Sequence, residues 1–393
     1  MSTLKVTNIE HGSTTDGGIQ LDSSGHVTVD GQQMPTAGQL SNRNLIINGA
    51  MQVAQRGTSS TSDGYLVDRI NIGDSGGTRT RTQESLSSGS PYEEGFHKFV
   101  RVTNTSAGSD NASDYVFIRH TLEDQDIANS GWNYESTSSY ITCSFWVRSS
   151  VSQEFYAHFN QGTDAYNYAV SIGTLTADTW TKVVKTIPGN SNLSFSDDNT
   201  GGLEINIIPF WGTNFTTSGS TVDAWYAWDG ASRVPDMTTT WNTTDDATFD
   251  VTGLQLEVGE KATPFEHRSY GDELYRCQRY FQTSFTDSPG TGNTSNLGIV
   301  LAGGSTTGNS TTFLGPAHVQ LTPNMRAAPT VTIYDLASPR NTGAVHRHTY
   351  GSAGSNDNTA TVTDTNTKSF IVRSDSGSSG SGIIFHYQVE AEL

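Results

Sequence analysis

The chain has 393 residues with 22 Lys and Arg against 40 Asp and Glu, a net charge of −18, and only 16% charged residues, where an average domain has about 25%. A negative surface of low charge density repels phosphate backbones, which excludes nucleic acid as the partner class. No apolar run approaches the ~20 residues of a membrane-spanning helix, and the opening MSTLKVTNIEHG lacks the apolar centre of a secretory signal, so the expectation is a protein made in a cytoplasm that stays folded there or leaves by a route other than secretion. Forty glycines, 10% aromatic residues and no long helical period predict an all-β chain of short strands and many turns. The 33% of apolar residues fall in alternating runs, which argues against disorder. Two cysteines, Cys143 and Cys277, supply neither a disulfide framework nor a metal knuckle.

Residues 1–43 are too thin to fold alone. In GIQLDSSGHVTVDG (18–31), Ile19 and Leu21, then Val27 and Val29, alternate around Asp22-Ser23-Ser24-Gly25 and predict a hairpin. An isolated hairpin is marginal in water, so it is expected to gain burial from another copy of itself or a larger assembly. From residue 44 the predicted strands are NLIING, FVRVTNT, YVFIRHT, YITCSFWVRS, EFYAHFN, WTKVVKTI, LEINIIPF and ATFDVTGLQLEVG. In YITCSFWVRS, Ile141, Cys143, Phe145 and Val147 share the core face, while Tyr140, Trp146 and Arg148 face the other way. The last strand changes phase between Phe249/Val251 and Leu254/Leu256/Val258, which predicts a β-bulge at Gly253. So many antiparallel-type strands without crossover helices predict a two-sheet sandwich over 44–268.

One helix follows in SYGDELYRCQRYF, where Tyr270, Leu274, Cys277 and Phe281 recur at helical spacing and Ser269 and Asp272 have capping-box spacing. It is expected as a short connector over 269–283. After a Ser/Thr/Gly loop at 283–295, LGIVLAG, HVQLT, PTVTIYD, ATVTDT, SFIVRS and GIIFHYQVEAEL predict a second, smaller β domain over 284–393. No internal repeat is visible, so a solenoid is not expected.

Catalytic templates are poorly matched. GDSGG (73–77) spells the nucleophile signature of chymotrypsin-like proteases and also fits G-x-S-x-G. Only His11 and His26 precede Ser75, however, with too little chain to build the barrel such a triad needs. The residues after it, GTRTRTQESLSSGS, lack the apolar face of a nucleophile-elbow helix. Ser75 is therefore expected in a polar turn after a strand around 68–72. GSSGSG near Gly377 lacks the strand a phosphate-binding loop needs. His346 and His348 would share a strand face and could hold a metal, but no third Cys or His stands nearby, so a solvent-facing pair and no metal site are expected. The pairs Asp197-Asp198 and Asp245-Asp246 fit turn chemistry, with a structural Ca²⁺ or a glycosidase carboxylate pair as alternatives. No other cofactor is expected.

Two stretches resemble a known family. NRNLIINGAMQVAQRG (42–57) followed by GYLVDRI (64–70) resembles the opening of a bacteriophage tail-fibre and virion-appendage family, in which an N-L-[IL]-x-N-G strand leads to an arginine-glycine turn and an A-D-R-W strand. Val67 and Ile70 replace the Ala and Trp here, so only Asp68 and Arg69 of that second strand match. TFDVTGLQLEVGEKATPFEHRSYGDELYRCQRYF (248–281) is similar to the end-of-module signature of the same family, with G-x-Q-L-E-x-G, A-T-P-F-E and C-Q-R-Y in order. HVQLTPNMRAAPTVTIYD and the final HYQVEAEL resemble the tail ends of such proteins, and the N-terminal segment resembles those that begin fibres of marine cyanophages and related phages. The resemblance covers most of residues 42–393. It implies a jelly-roll carbohydrate-binding-like module that recognises sugar without cleaving it, in a virion tail fibre or appendage assembled in the host cytoplasm. It further implies a homotrimer, attached to another virion protein through residues 1–43, with a host cell-surface glycan as ligand.

A sugar needs a flat aromatic face for its C–H surface and flanking polar groups for its hydroxyls. The candidate glycan-binding residues are Trp228, Tyr226 and Trp211 in PFWGTNFTTSGSTVDAWYAWDG, with Trp146, Tyr156 and His158 on strand faces opposite the expected core; Trp228 and Tyr226, in an Asp/Gly-rich loop, come first. Trp225, Trp241 and Trp180 match family positions that carry Trp and are expected to pack. Two alternatives stay open: a polysaccharide depolymerase with a carboxylate site shared between subunits, and a purely architectural fibre or capsid decoration.

Overall fold

The structure is a computed structural model, and it describes residues 8–9, 18–21, 27–29, 32–33, 42–162, 164–285, 298–303, 316–336, 341–349, 352–374 and 382–393. The chain is almost entirely β, in antiparallel sheets. It divides into two compact units: residues 1–52, 59–64 and 70–268 form the first, and residues 53–58, 65–69 and 269–393 form the second. Two short stretches that the sequence placed in the sandwich thus belong to the second unit.

Eleven strands of the first unit, in chain order, are β1 (Asn71–Ser75), β2 (Thr78–Ser85), β3 (Lys98–Ser106), β4 (Tyr115–Glu123), β5 (Tyr140–Ser149), β6 (Glu154–Gln161), β7 (Tyr166–Thr174), β8 (Thr181–Pro188), β9 (Gly201–Trp211), β10 (Trp225–Ala227) and β11 (Thr248–Val258), and they make the body of two sheets. One sheet has the spatial order β8-β5-β11-β3-β2 and the other β10-β7-β6-β9-β4-β1, so the chain crosses repeatedly between sheets and its last strand returns to the middle of the first. This is a jelly-roll sandwich. Its core follows the alternation of the strands: Ile141, Cys143, Phe145 and Val147 of β5 are buried, as are Phe155, Ala157 and Phe159 of β6. Phe155 and Phe249 meet across the sheets edge to face at 5.0 Å. Burial pushes the Cys143 thiol well up.

The phase change in β11 is a bulge. The β5–β11 register slips between Ser144 and Trp146, opposite Gln255 and Thr252, and Gly253 takes φ +66°. An L side chain is strained in that conformation.

NLIING is not a strand. Asn44 spends its side chain on local and long-range bonds, accepting from the Ile46 and Leu256 amides and donating to the Leu254 carbonyl, and Asn48 and Met51 take positive φ. Conversely TRTRTQES, which has no apolar stripe, is strand β2. Arg79 and Arg81 point inward and are almost fully buried; Arg79 is held by Asp74 at 2.8 Å, Asn104 and Asn242, and Arg81 by Asp63 and Asp74. Ser75 is the last residue of β1, paired with Tyr115, so it is not in the turn; the turn falls at Gly76, where φ is +83°.

Near the N-terminus, Ile19–Leu21 and Val27–Val29 pair antiparallel with Ile19 opposite Val29 and Leu21 opposite Val27, as the alternation predicts. Asn8–Ile9 and Gln32–Gln33 flank them. The turn residues 22–26 lie outside the described residues.

In the second unit the helix Tyr270–Cys277 begins at Ser269, whose side chain accepts from the Asp272 amide. It is shorter than the apolar spacing suggests. Tyr270 is exposed, Glu273 and Cys277 are the buried helical residues, and Phe281 already starts the strand Phe281–Thr283. The strand Gly382–Glu390 is the hub of this unit, pairing with Phe281–Thr283, Val300–Gly303, Thr330–Tyr334 and Ala344–Thr349. Ala344–Thr349 is a strand the sequence reading did not find, and the strand containing ATVTDT extends over Ser352–Thr363. The core packs Val319, Met325, Ile333, Phe370, Val372 and Phe385, among others. At its edge Arg56 bonds Asp68 at 3.3 Å and Glu392 at 3.1 Å while lying over the Phe281 ring, and Arg69 bonds Glu392 while lying over Tyr280. Burial, more than any other influence, pushes the Asp68 carboxyl up to about 6. The Ser/Thr/Gly loop beyond residue 285 and the GSSGSG stretch lie outside the described residues.

Candidate functional site

The outward face of the β10–β1 sheet collects the polar and aromatic side chains that the strand periodicity turns away from the core. In β4, Val116 and Ile118 are buried inward, which leaves Tyr115, Phe117 and Arg119 facing out. Register then sets the rows. Arg119 lies beside Asn206 of β9, which lies beside His158 of β6, which lies beside Ala169 of β7. The next row brings Thr121, Glu204, Asn160 and Asn167 together.

At the β1 edge the face is aromatic. The Tyr115 and Phe117 rings are 5.8 Å apart and inclined by only 13°, and the Arg119 guanidinium lies 4.4 Å from the Phe117 centroid. The Phe117 ring can reach over β1 because its neighbour there is Gly73: a Cβ there would come within 2.5 Å of the ring. The first glycine of GDSGG is thus the seat of an aromatic ring.

The middle of the face is polar. Arg119 donates to Asn206 Oδ1 at 2.7 Å and reaches Glu204 at 3.4 Å. His158 Nε2 donates to Asn167 Oδ1 at 2.7 Å, and Asn160 donates to Asp164 at 2.7 Å. His158 Nδ1, Asn160 Oδ1, Asn167 Nδ2 and Arg233 Nε are buried with no hydrogen-bond partner among the described residues. Such orphans are rare in native proteins and mark a functional or solvent role. Burial, followed by the nearby positive charges of Arg233 and Arg119, outweighs the bond to Asn167 and pushes His158 down to about 3, so its ring is neutral.

Residues 212–237 wall this floor on the β10 side. Trp211, Val234, Tyr156 and Ile208 form a small apolar cluster with Phe215, Tyr226 and Met237 packed against it. The Tyr226 hydroxyl donates to the Arg233 carbonyl, and the Trp228 amide donates to Ala165 at 2.9 Å. The Arg233 guanidinium sits 4.6 Å from the Trp228 centroid, 5.1 Å from Phe215 and 5.5 Å from Trp211.

The structure therefore gathers five of the six sequence candidates, His158, Tyr156, Trp211, Tyr226 and Trp228, on one face, but in different layers. His158, Tyr156 and Trp211 are buried supports, whereas Tyr226 and Trp228 are partly exposed. Trp146 stands apart on the other sheet. It faces away from the sandwich interior as expected, yet it is covered by Phe96, Phe99, Ala50 and Leu86, with its Nε1 donating to Glu94 at 3.1 Å. A ring in that position is a packing element. Trp225 and Trp241 also pack: Trp225 lies against Tyr168 with its Nε1 on the Pro188 carbonyl, and Trp241 is fully buried against Phe249. The sequence reading missed Tyr115, Phe117, Arg119, Asn160, Asn167, Glu204, Asn206 and Arg233. The alternation in Y-V-F-I-R already places the first three outward.

The acidic pairs do local work. Asp198 accepts from both the amide and the hydroxyl of Thr200, and Asp245 accepts from the Ala107 amide at 2.6 Å. Among the described residues no three His, Cys, Asp or Glu side chains gather as a metal site.

The sequence matches no protein-family model and no curated protein. Among solved structures it is similar to the enzymatically active domain of tailspike protein 4 of bacteriophage CBA120, at 11% identity over 55% of this chain and 21% of that one, with a TM-score of 0.29. It is also similar to the N-terminal cellulose-binding domain of a β-1,4-glucanase of Cellulomonas fimi, at 11% identity over 53% of this chain and 99% of that one, TM-score 0.26. A family 11 carbohydrate-binding module from Clostridium thermocellum matches at 11% identity over 53% and 98% of the two chains, TM-score 0.24.

Proposed function

We propose that the protein is an adhesive component of a bacteriophage virion, a tail fibre or appendage whose jelly roll binds a host surface polysaccharide without cutting it. The observation that carries this is the outward face of the β10–β1 sheet: the stacked Tyr115 and Phe117 rings beside the partly exposed polar side chains of Arg119 and Glu204, with the partly exposed Trp228 ring on the β10 side. Sugar rings match such a surface. Their C–H faces pack on aromatic planes, and each hydroxyl both donates and accepts. The polar row of His158, Asn160 and Asn167 is covered by residues 212–237, so Phe117, Arg119, Glu204 and Trp228, all partly exposed, make the first contacts.

The virion assignment rests on the resemblance of residues 42–57 and 248–281 to the appendage family. In this account the chain is a homotrimer that attaches to another virion protein through its N-terminal segment, and repeated sites add avidity to weak sugar contacts. The N-terminal sheet supports self-association: Ile9, Ile19, Leu21 and Val29 are exposed, and the register puts them on one face. Apolar side chains gathered in that way seek a partner surface.

Incubating the purified chain with host surface polysaccharide tests the proposal. Saturable binding without new reducing ends is expected; release of reducing ends at a steady rate would make the protein a depolymerase instead. Sedimentation tests the assembly, with an expected mass three times the 42.3 kDa of the chain.

A further inference from the structure

The Arg233 side chain forms no ion pair and no hydrogen bond among the described residues. Its guanidinium is ringed by Trp228, Phe215 and Trp211. The two carboxylates whose charges act on it are bonded elsewhere: Asp164 accepts from Asn160, and Glu204 pairs with Arg119. Arg119 is close enough for its charge to oppose that of Arg233. Arg233 and His158 both pack against Trp211, and register sets Arg119 in the same row as His158, on a protein whose net charge is −18 and which has no general attraction for polyanions.

We propose that this face selects an acidic sugar, with the carboxylate of a uronic or related sugar acid taken by Arg233 and Arg119 while its ring lies against the aromatic surface. The planar guanidinium fork matches a carboxylate with two parallel hydrogen bonds, and a half-buried site makes such a pair stronger than it is in water. The proposal deepens the glycan-binding reading and rests on it.

The test is a glycan array carrying matched neutral and carboxylate-bearing glycans, probed with the full-length chain and with Arg233→Gln, each checked by its melting curve. The best-bound glycan is then offered again after chemical reduction of its carboxyl groups. Binding of the native chain to acidic glycans at least tenfold tighter than to their neutral or carboxyl-reduced forms is expected, with that preference lost in Arg233→Gln. The carboxyl-reduction arm decides the matter even where the variant fails to fold. Equal binding of acidic and neutral forms overturns the acidic selection and leaves the glycan-binding reading standing; binding to no glycan at all overturns both. Equal competition by inorganic phosphate would also overturn the proposal, because it would take the sugar ring out of the recognition.

Discussion

Replacing Gly253 by alanine tests the bulge that closes the sandwich. Gly253 holds φ +66°, where an L residue costs about 1–2 kcal/mol. A Cβ there would also stand 2.7 Å from the Phe96 ring. Phe96 is almost fully buried among Ala50, Leu86, Phe99 and Trp146, with Phe265 edge-on at 4.7 Å, so the ring has little room to give. Forcing such a shift in a packed cluster costs about 1–3 kcal/mol. The two contributions sum to roughly 2–5 kcal/mol, or a fall of about 5–15 °C in Tm for a unit of this size. Gly219→Ala is the control. It shares a positive φ, +83°, but a Cβ there meets nothing within 4 Å. It should cost only the backbone part, roughly 2–6 °C. Scanning calorimetry of both variants reads the difference directly. Equal shifts, or a fall of less than about 3 °C for Gly253→Ala, would refute the bulge and its contact with Phe96.

Gly73→Ala should lift the Phe117 ring from its seat and weaken glycan binding about fivefold, the equivalent of roughly 1 kcal/mol of aromatic contact, with little change in Tm; titration and melting curves on the same sample check both. His158 titrates near 3 when folded, against 6.5 for the unmodified side chain, chiefly because it is buried. The unfolded chain therefore takes up a proton that the folded chain refuses, and stability falls as pH drops from 6.5 toward 3, by up to about 1.4 kcal/mol per pH unit. His158→Gln should flatten that part of the melting profile. Asp68 acts in the opposite sense in the second unit. With its folded value pushed up to about 6 from 3.8, chiefly by burial, its contribution is present below 3.8 and lost as pH rises through 6; native-minus-Asp68→Asn melting curves from pH 4 to 7 should show that slope. Both cysteines are buried, with thiols pushed up by burial, so a thiol reagent should label neither in the native chain and both in denaturant.

The strands that alternate cleanly were readable in the sequence, because burial of one face imposes a period of two. YITCSFWVRS and the phase break at Gly253 are the clearest cases. What escaped was strand structure without an apolar stripe. TRTRTQES hides its arginines inside, paired with Asp74 and Asp63; YNYAVSIGT, by contrast, alternates Tyr166, Tyr168, Val170 and Ile172 with the outward Asn167 and Ser171 and was legible by the same rule. NLIING erred the other way, because apolar composition said nothing of the Asn44 side chain that replaces strand bonding there. Attention to Trp-rich loops led the reading to Trp228 and Tyr226. Phe117 and Arg119 could have been found from the alternation of β4 alone, whereas their meeting with Asn206, His158 and Asn160 depends on register between strands far apart in sequence.

The most direct measurement is a calorimetric titration of the full-length chain with soluble host surface polysaccharide, repeated with the double variant Phe117→Ala/Trp228→Ala. The account predicts saturable binding by the native chain and at least a tenfold loss in the variant at unchanged fold. Undiminished affinity in the variant, or no binding by the native chain, would contradict it.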